Sequence, residues 1–190
     1  PTSAVLYPPR PEAGLPYTAS LHTDIPSNAA SASPVQGGPL LGIKAVGIVS
    51  PIALPSRTDS ASLRAALTKG VAHYPLSPLP DGQGNVFLFG HSSARASESN
   101  PARTVFTRLN KLKPGDDIEI MYNGVVYVYR TNLVRIAPPE DMTVYFATPR
   151  KMLTLSTCWP IGDPKNRFMV EAEFVRSYPS GNTSLAGTSS

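Results

Sequence analysis

Residues 117–132 constrain the fold more tightly than any other stretch. "DIEIMY" and "VVYVYRTN" each alternate with period two and are joined by Asn123-Gly124. That pair supplies the two positive φ angles a tight type I′ turn demands, so the segment predicts an antiparallel hairpin. Alternation returns in "MLTLSTC" and in "RFMVEAEFV". "LLGIKAVGIVSPI" is β-branched and punctuated by Gly42, Gly47 and Pro51, and "NVFLFG" is a short apolar run that stops at Gly90. One good helix signature stands among them: Asp59 or Ser60 as N-cap, Leu63, Ala66 and Leu67 on one face, and Gly70 as the stop. Phe106, Leu109 and Leu112 suggest a further helical turn, ended by Pro114-Gly115. About seven or eight short strands with one or two short helices describe a mostly β, largely antiparallel barrel or sandwich.

Proline sets the limits of that unit. The chain holds 21 prolines in 190 residues, about twice the usual share. Eight of them fall in residues 1–39, beside only three charged side chains, Arg10, Glu12 and Asp24. With no apolar period, residues 1–39 read as an extended arm or lid. Residues 177–190 are small and polar and read as a disordered tail. The folded domain is expected over residues 40–176. At 41% hydrophobic and 16% charged, the chain has enough apolar material for a core.

Charge and cysteine content exclude several function classes. The net charge is +4 and the basic residues are scattered. The densest stretch, Arg103, Arg108, Lys111 and Lys113, is interleaved with Phe106, Leu109 and Leu112 and reads as a solvated face. It has neither the stripe nor the motif of a nucleic-acid surface, so no nucleic-acid partner is expected. No apolar run is long enough to span a membrane. The chain opens on Pro1, which leaves room for an anchor or signal upstream. One cysteine and three histidines supply no cysteine-rich zinc set, and no glycine-rich loop leads into a helix, so no metal or cofactor is expected. The carboxylate pairs Asp116/Asp117 and Glu140/Asp141 sit at turn edges and read as solvated loops.

Cys158 ends the strand "MLTLSTC", His91 lies just past "NVFLFG", and Arg167 opens the strand after the Cys158 loop. A rigid strand positions a terminal group while the loop beyond exposes it. A thiol, an imidazole and a guanidinium at three strand ends could form one site. Each also has an ordinary reading: a buried small hydrophobe, a structural histidine and a surface ion pair. Spacing alone does not choose between them.

The segment "TLSTC" followed by "WPIGDPKNRFMVEAEFV" resembles the sortase signature, a strand ending Thr-Leu-x-Thr-Cys with an arginine opening the next strand. "GVAHYPLSPLPDGQGNVFLFGHSS" resembles the sortase segment leading into the Gly-His motif. "FTRLNKLKPGDDIEIMYNGVVYVY" is similar to the Phe-x₂-Leu-x₂-Leu-x₂-Gly-Asp stretch and its hairpin, and "IKAVGIVSPI" to the first barrel strand. The likeness covers residues 40–176 in the family's order. Papain-like proteases, by contrast, place histidine after the cysteine, and the caspase and L,D-transpeptidase signatures are absent.

The resemblance implies a closed sortase-like barrel and a cysteine transpeptidase at the bacterial cell surface, anchored in the membrane by a segment outside this sequence. Its substrates would be surface proteins with an LPxTG-like sorting signal, cleaved after threonine. The acyl group would pass to an amine, either a peptidoglycan precursor or a pilin lysine. Motif by motif, Cys158 would be the nucleophile, His91 the general acid/base and Arg167 the oxyanion stabiliser. Thr157 and Trp159 would line the substrate groove, although a buried packing role suits Trp159 equally well. Gly90-His91-Ser92, followed by Ser93, departs from the Gly-His-Arg of many sortases. His73, outside the Gly-His motif, is expected to be structural. Leu15-Pro16-Tyr17-Thr18-Ala19 is itself similar to a Leu-Pro-x-Thr-Ala sorting signal. Chance in a Leu/Pro/Thr-rich linker explains it, and the sharper reading is a pseudosubstrate lid. The alternative to an enzyme is a surface barrel that keeps the fold as a binding or scaffold module.

Overall fold

The structure, a computed structural model, describes residues 38–93, 99–161, 163 and 165–181. Eight strands form its framework. β1 (Leu40–Ile43) and β2 (Ile48–Ala53) flank a single 3-10 turn and Gly47, whose φ of 65° closes the reversal. β3 (Val71–His73) and β4 (Asn85–Phe89) follow, then β5 (Asp117–Tyr122) and β6 (Val125–Ala137). β7 (Met152–Trp159) and β8 (Asn166–Pro179) complete the set. They close into a barrel in the order β1-β2-β3-β4-β7-β8-β6-β5. Most pairings are antiparallel, while β2 with β3 and β4 with β7 run parallel.

The expected hairpin is present in the expected register. Asn123 and Gly124 have φ of 49° and 75°, and Tyr122 faces Val125 across the turn. The helix α1 (Ser60–Leu67) begins where its cap predicts: Asp59 accepts from the Ser62 backbone N–H at 3.0 Å. Its small apolar face buries Ala66. The turn expected around Leu109 is a 3-10 segment, Leu109–Lys111, with Leu109 and Leu112 buried.

Alternation along β4, β7 and β8 decides what points inward. Val86, Leu88, Leu153, Leu155, Phe168 and Val170 fill the barrel beside Leu41, Ile118 and Tyr129. Each fully buried Leu or Ile contributes about 1.5–3 kcal/mol of transfer free energy. The residues between them, Phe87, Phe89, Ser156, Cys158, Arg167 and Met169, therefore sit on the outer face. The connection 138–151 lies over part of that face: Asn85 donates to the Tyr145 carbonyl at 3.1 Å, and the Phe146 ring lies 6.2 Å from Phe87.

At its C-terminal end the fold runs further than the sequence suggested. Ser177–Pro179, assigned above to a tail, extend β8, with Ser177 facing Tyr127 and Pro179 facing Val125. Polar, exposed residues at a strand end carry no alternation, so their pairing is invisible until the long β6 is seen to need a partner. Among the described residues no helix is long and apolar enough to cross a membrane.

Candidate active site

Cys158 and Arg167 are direct partners across the antiparallel β7–β8 pair. Side chains so paired share a face, with Cβ atoms about 4.5–5.5 Å apart. Both are partly exposed, and Cys158 is a free thiol. The sheet therefore places the Arg167 side chain on the same face as the thiol, as its register partner. Arg167 also donates from Nη1 to the Asn166 carbonyl at 3.1 Å, which restrains its guanidinium.

His91 reaches the same point from the other side. β4 runs parallel to β7 with Phe89 opposite Ser156, and Gly90 continues the ladder by donating to the Ser156 carbonyl at 3.1 Å. One residue further along this register, His91 stands abreast of Cys158. Contacts on both sides of it hold it there. Thr157 Oγ1 donates to the Gly90 carbonyl at 2.8 Å, and Ser92 Oγ donates to the Cys158 carbonyl at 3.0 Å. The His91 carbonyl accepts from the Phe106 N–H at 2.9 Å. Gly90 has no space to spare: a Cβ there would meet the Phe106 ring at 2.8 Å. Glycine is required at this position because the residue 105–106 segment packs directly onto the strand end.

The structure thus brings His91, Cys158 and Arg167 to one end of three adjacent strands. It separates the other two candidates from them. Thr157 is 5% exposed, and its hydroxyl is spent on Gly90, so it braces the His91 segment from the inner face. Trp159, one residue from Cys158, points to the opposite side of β7 and packs on the core, its ring 5.7 Å from Phe168. Of the two roles weighed for Trp159, the packing one matches its position. Leu15, Pro16, Tyr17, Thr18 and Ala19 lie outside the described residues. His73 is buried on β3, with Nε2 3.0 Å from both the Pro78 carbonyl and Ser77 Oγ, and desolvation lowers its pKa.

Two features were not read from the sequence. Arg103, grouped above with a solvated basic face, is half-buried and places Nη1 3.0 Å from His91 Nε2. It stands on the 3-10 turn Pro101–Thr104, whose cap Asn100 accepts from the Ala102 N–H at 3.0 Å and donates to the Thr68 carbonyl at 2.9 Å. The Asn-Pro start of that turn was the available signal. The second feature is an aromatic group on the outer face of β4. Phe87 stacks on Phe89 at 6.0 Å, and Tyr74 and Phe146 join Phe87 at 6.1 and 6.2 Å. These rings form an apolar floor running away from the strand ends that carry His91 and Cys158. A cleft of about 570 Å³ lies elsewhere, between β2, the end of α1 and the 3-10 turn, with Lys69 and Arg108 in its lining and none of the three strand-end residues. Among the described residues no three His, Cys, Asp or Glu side chains gather as metal ligands.

Comparison with known proteins agrees with the barrel fold. A family model described as Sortase domain matches residues 41–175. Sortase SrtE1 of Streptomyces coelicolor is 30% identical over 164 residues, covering 78% of this chain and 43% of that protein. Sortase D of Bacillus subtilis is 28% identical over 159 residues, covering 80% of this chain and 72% of that protein. This chain therefore spans less than half the length of the Streptomyces relative. Among solved structures, a Sortase D5 transpeptidase from Clostridium perfringens superposes with a TM-score of 0.58 at 26% identity, covering 74% of this chain and 79% of that one.

Proposed function

This chain belongs to the sortase family, and on that premise we propose that its barrel is a cysteine transpeptidase with Cys158, His91 and Arg167 as its catalytic residues. The observation that carries the reading is the pairing of Cys158 with Arg167 across β7 and β8, with His91 strapped to β7 on the other flank. A scaffold module would need none of the three at one place.

The chemistry assigns each group a step. The Cys158 thiolate attacks the threonine carbonyl carbon of an LPxTG-like peptide. As the C–S bond forms, the carbonyl electron pair moves to oxygen, where the Arg167 guanidinium meets it. A preorganised cation of this kind lowers the barrier by several kcal/mol. Collapse of the adduct breaks the C–N bond, His91 gives a proton to the departing amine, and a thioester remains on Cys158. The incoming amine then adds to the thioester and yields a proton to His91. The second collapse expels the thiolate and leaves a new amide.

The outer face of β4, floored by Phe87 and Phe89 and walled by Phe146, suits the apolar part of a leucine-proline signal. Sortase relatives act at the bacterial cell surface, and we place this protein there, attached to the membrane by a segment outside the present sequence. Its proposed partners are surface proteins carrying the sorting signal and an amine acceptor, a peptidoglycan precursor or a pilin lysine. The test is turnover of an LPxTG-type peptide with an amine, followed by chromatography. Cleavage after threonine that disappears in Cys158→Ala supports the reading. Absence of cleavage across a peptide library, with Cys158 inert to a thiol reagent, returns the protein to the scaffold class.

A further inference from the structure

The cleft between β2, the end of α1 and the 3-10 turn Pro101–Thr104 holds none of His91, Cys158 and Arg167, yet it shares a wall with them. Thr107 lines the cleft and donates from Oγ1 to the Ser92 carbonyl at 2.7 Å. Val105 lines it too, and its Cγ1 lies 3.0 Å from where a Cβ on Gly90 would stand. Residues 105 and 107 thus look into the cleft while touching the two chain neighbours of His91. From Gly90, Cys158 is one residue step and one strand spacing further, so the thiol lies on the order of 10 Å from this wall.

The lining is cationic. Its two charged residues are Lys69 and Arg108, both exposed, and no acidic side chain joins them. Among the described residues neither forms an ion pair. Arg108 lies along the wall, with Nη1 3.2 Å from where a Cβ on Gly47 would stand. Three further lining side chains cover carbonyl oxygens that would otherwise repel an anion. Asn100 donates to Thr68 at 2.9 Å, Thr104 to Pro101 at 3.2 Å, and Thr107 to Ser92. A volume of about 570 Å³ accommodates the end of a short peptide.

The proposed reaction has two substrates, and the aromatic floor of Phe87 and Phe89 suits only the apolar sorting signal. We propose that the cleft receives the carboxylate of the other substrate, the amine acceptor, through Lys69 and Arg108. This rests on the transpeptidase reading, which requires an acceptor. An acceptor with an amine at one end and a carboxylate at the other is oriented by the two cations, which draw the carboxylate and repel a protonated amine. The amine end is turned toward the strand ends. There its nitrogen bonds to the thioester carbon, its proton passes to His91, and the Cys158 thiolate departs. A four-residue acceptor spans about 13 Å when extended, enough to join the cleft to the thiol.

The test uses two acceptors that differ at one end, tetra-alanine with a free carboxylate and tetra-alanine amide, with the full chain and one LPxTG-type donor peptide. In wild type the KM of the free acid is expected about fivefold below that of the amide, as two exposed ion pairs allow. Added salt should shrink the difference. In the double variant Lys69→Gln/Arg108→Gln the ratio should fall to about one, with circular dichroism confirming the fold. Binding is read without turnover by amide NMR of Cys158→Ala protein. The free acid should shift the signals of Lys69, Gly70 and residues 104–108, and the amide should not. Equal KM values, or a ratio that survives in the double variant, overturn the proposal. So does a cleft that responds to inorganic phosphate and not to the free acid. The two readings fail separately. No transfer to either acceptor, with no acylation of Cys158, removes the transpeptidase reading and the acceptor site with it. Transfer to both acceptors at equal KM removes the carboxylate site alone.

Discussion

His73 and His91 end neighbouring strands, β3 and the run just past β4, and the two differ in almost every physical respect. His73 is 4% exposed and bonded to groups of its own loop. His91 is partly exposed, stands beside β7, and is bonded to an arginine from a distant turn. Burial with satisfied bonds makes a histidine part of the fold. Partial exposure at the strand end level with a thiol leaves a histidine where it can exchange protons. The difference comes from register: two residues past the end of β4 the chain reaches the level of Cys158, whereas β3 does not pair with β7.

Removing each ring should break this pair apart most clearly. His91→Ala is expected to cut turnover by about 10²–10⁴-fold with little change in melting. His73→Ala should cost about 1–3 kcal/mol of stability by leaving the Ser77 and Pro78 groups without their partner, with turnover per folded molecule retained. Peptide cleavage assays and urea titrations of both variants check this, and a swapped pattern would end the contrast. Gly90→Ala comes next. A Cβ 2.8 Å from the Phe106 ring and 3.0 Å from Val105 should cost about 1–3 kcal/mol. It should also lower turnover, because it moves the residue that precedes His91.

Ser92→Ala removes the bond to the Cys158 carbonyl and should cost about 1 kcal/mol. Its loss of turnover should exceed what that destabilisation explains, as kinetics under fully folded conditions would reveal. The smallest effect concerns pH. Burial holds the pKa of folded His73 below its ordinary 6.5. The unfolded chain therefore binds that proton more readily, so the contribution of His73 to stability is present above about pH 6.5 and is lost as pH falls below it. His73→Gln should flatten this part of the stability curve, measured by denaturant titrations from neutral to mildly acidic pH. An unchanged slope would show that His73 is not the group responsible.

Much of this was legible in the residues, for local reasons. Asn123-Gly124 dictates its own turn, and Asp59 its own cap, because both effects act within a few residues. The facing of Trp159 was also legible in principle, since period-two alternation sends neighbours of Cys158 to the opposite side. What stayed hidden depends on distant partners. β3 is three buried residues, Val71–His73, too short for any pattern. The parallel pairing of β4 with β7 joins segments far apart in sequence, and only the closed barrel brings them together. Arg103 looks like its solvated neighbours Arg108 and Lys111. Its contact with His91 follows from the 3-10 turn that aims it at a ring twelve residues away.

The central claim is that Cys158 forms a thioester with the threonine of a sorting signal. Intact-mass analysis of the protein, quenched in acid during reaction with an LPxTG-type peptide and no added amine, tests this most directly. The account predicts a covalent adduct equal to the peptide through threonine, located on Cys158, absent in Cys158→Ala, and discharged when an amine is added. Full cleavage of the peptide with no adduct on Cys158, or an adduct that persists in Cys158→Ala, would contradict it.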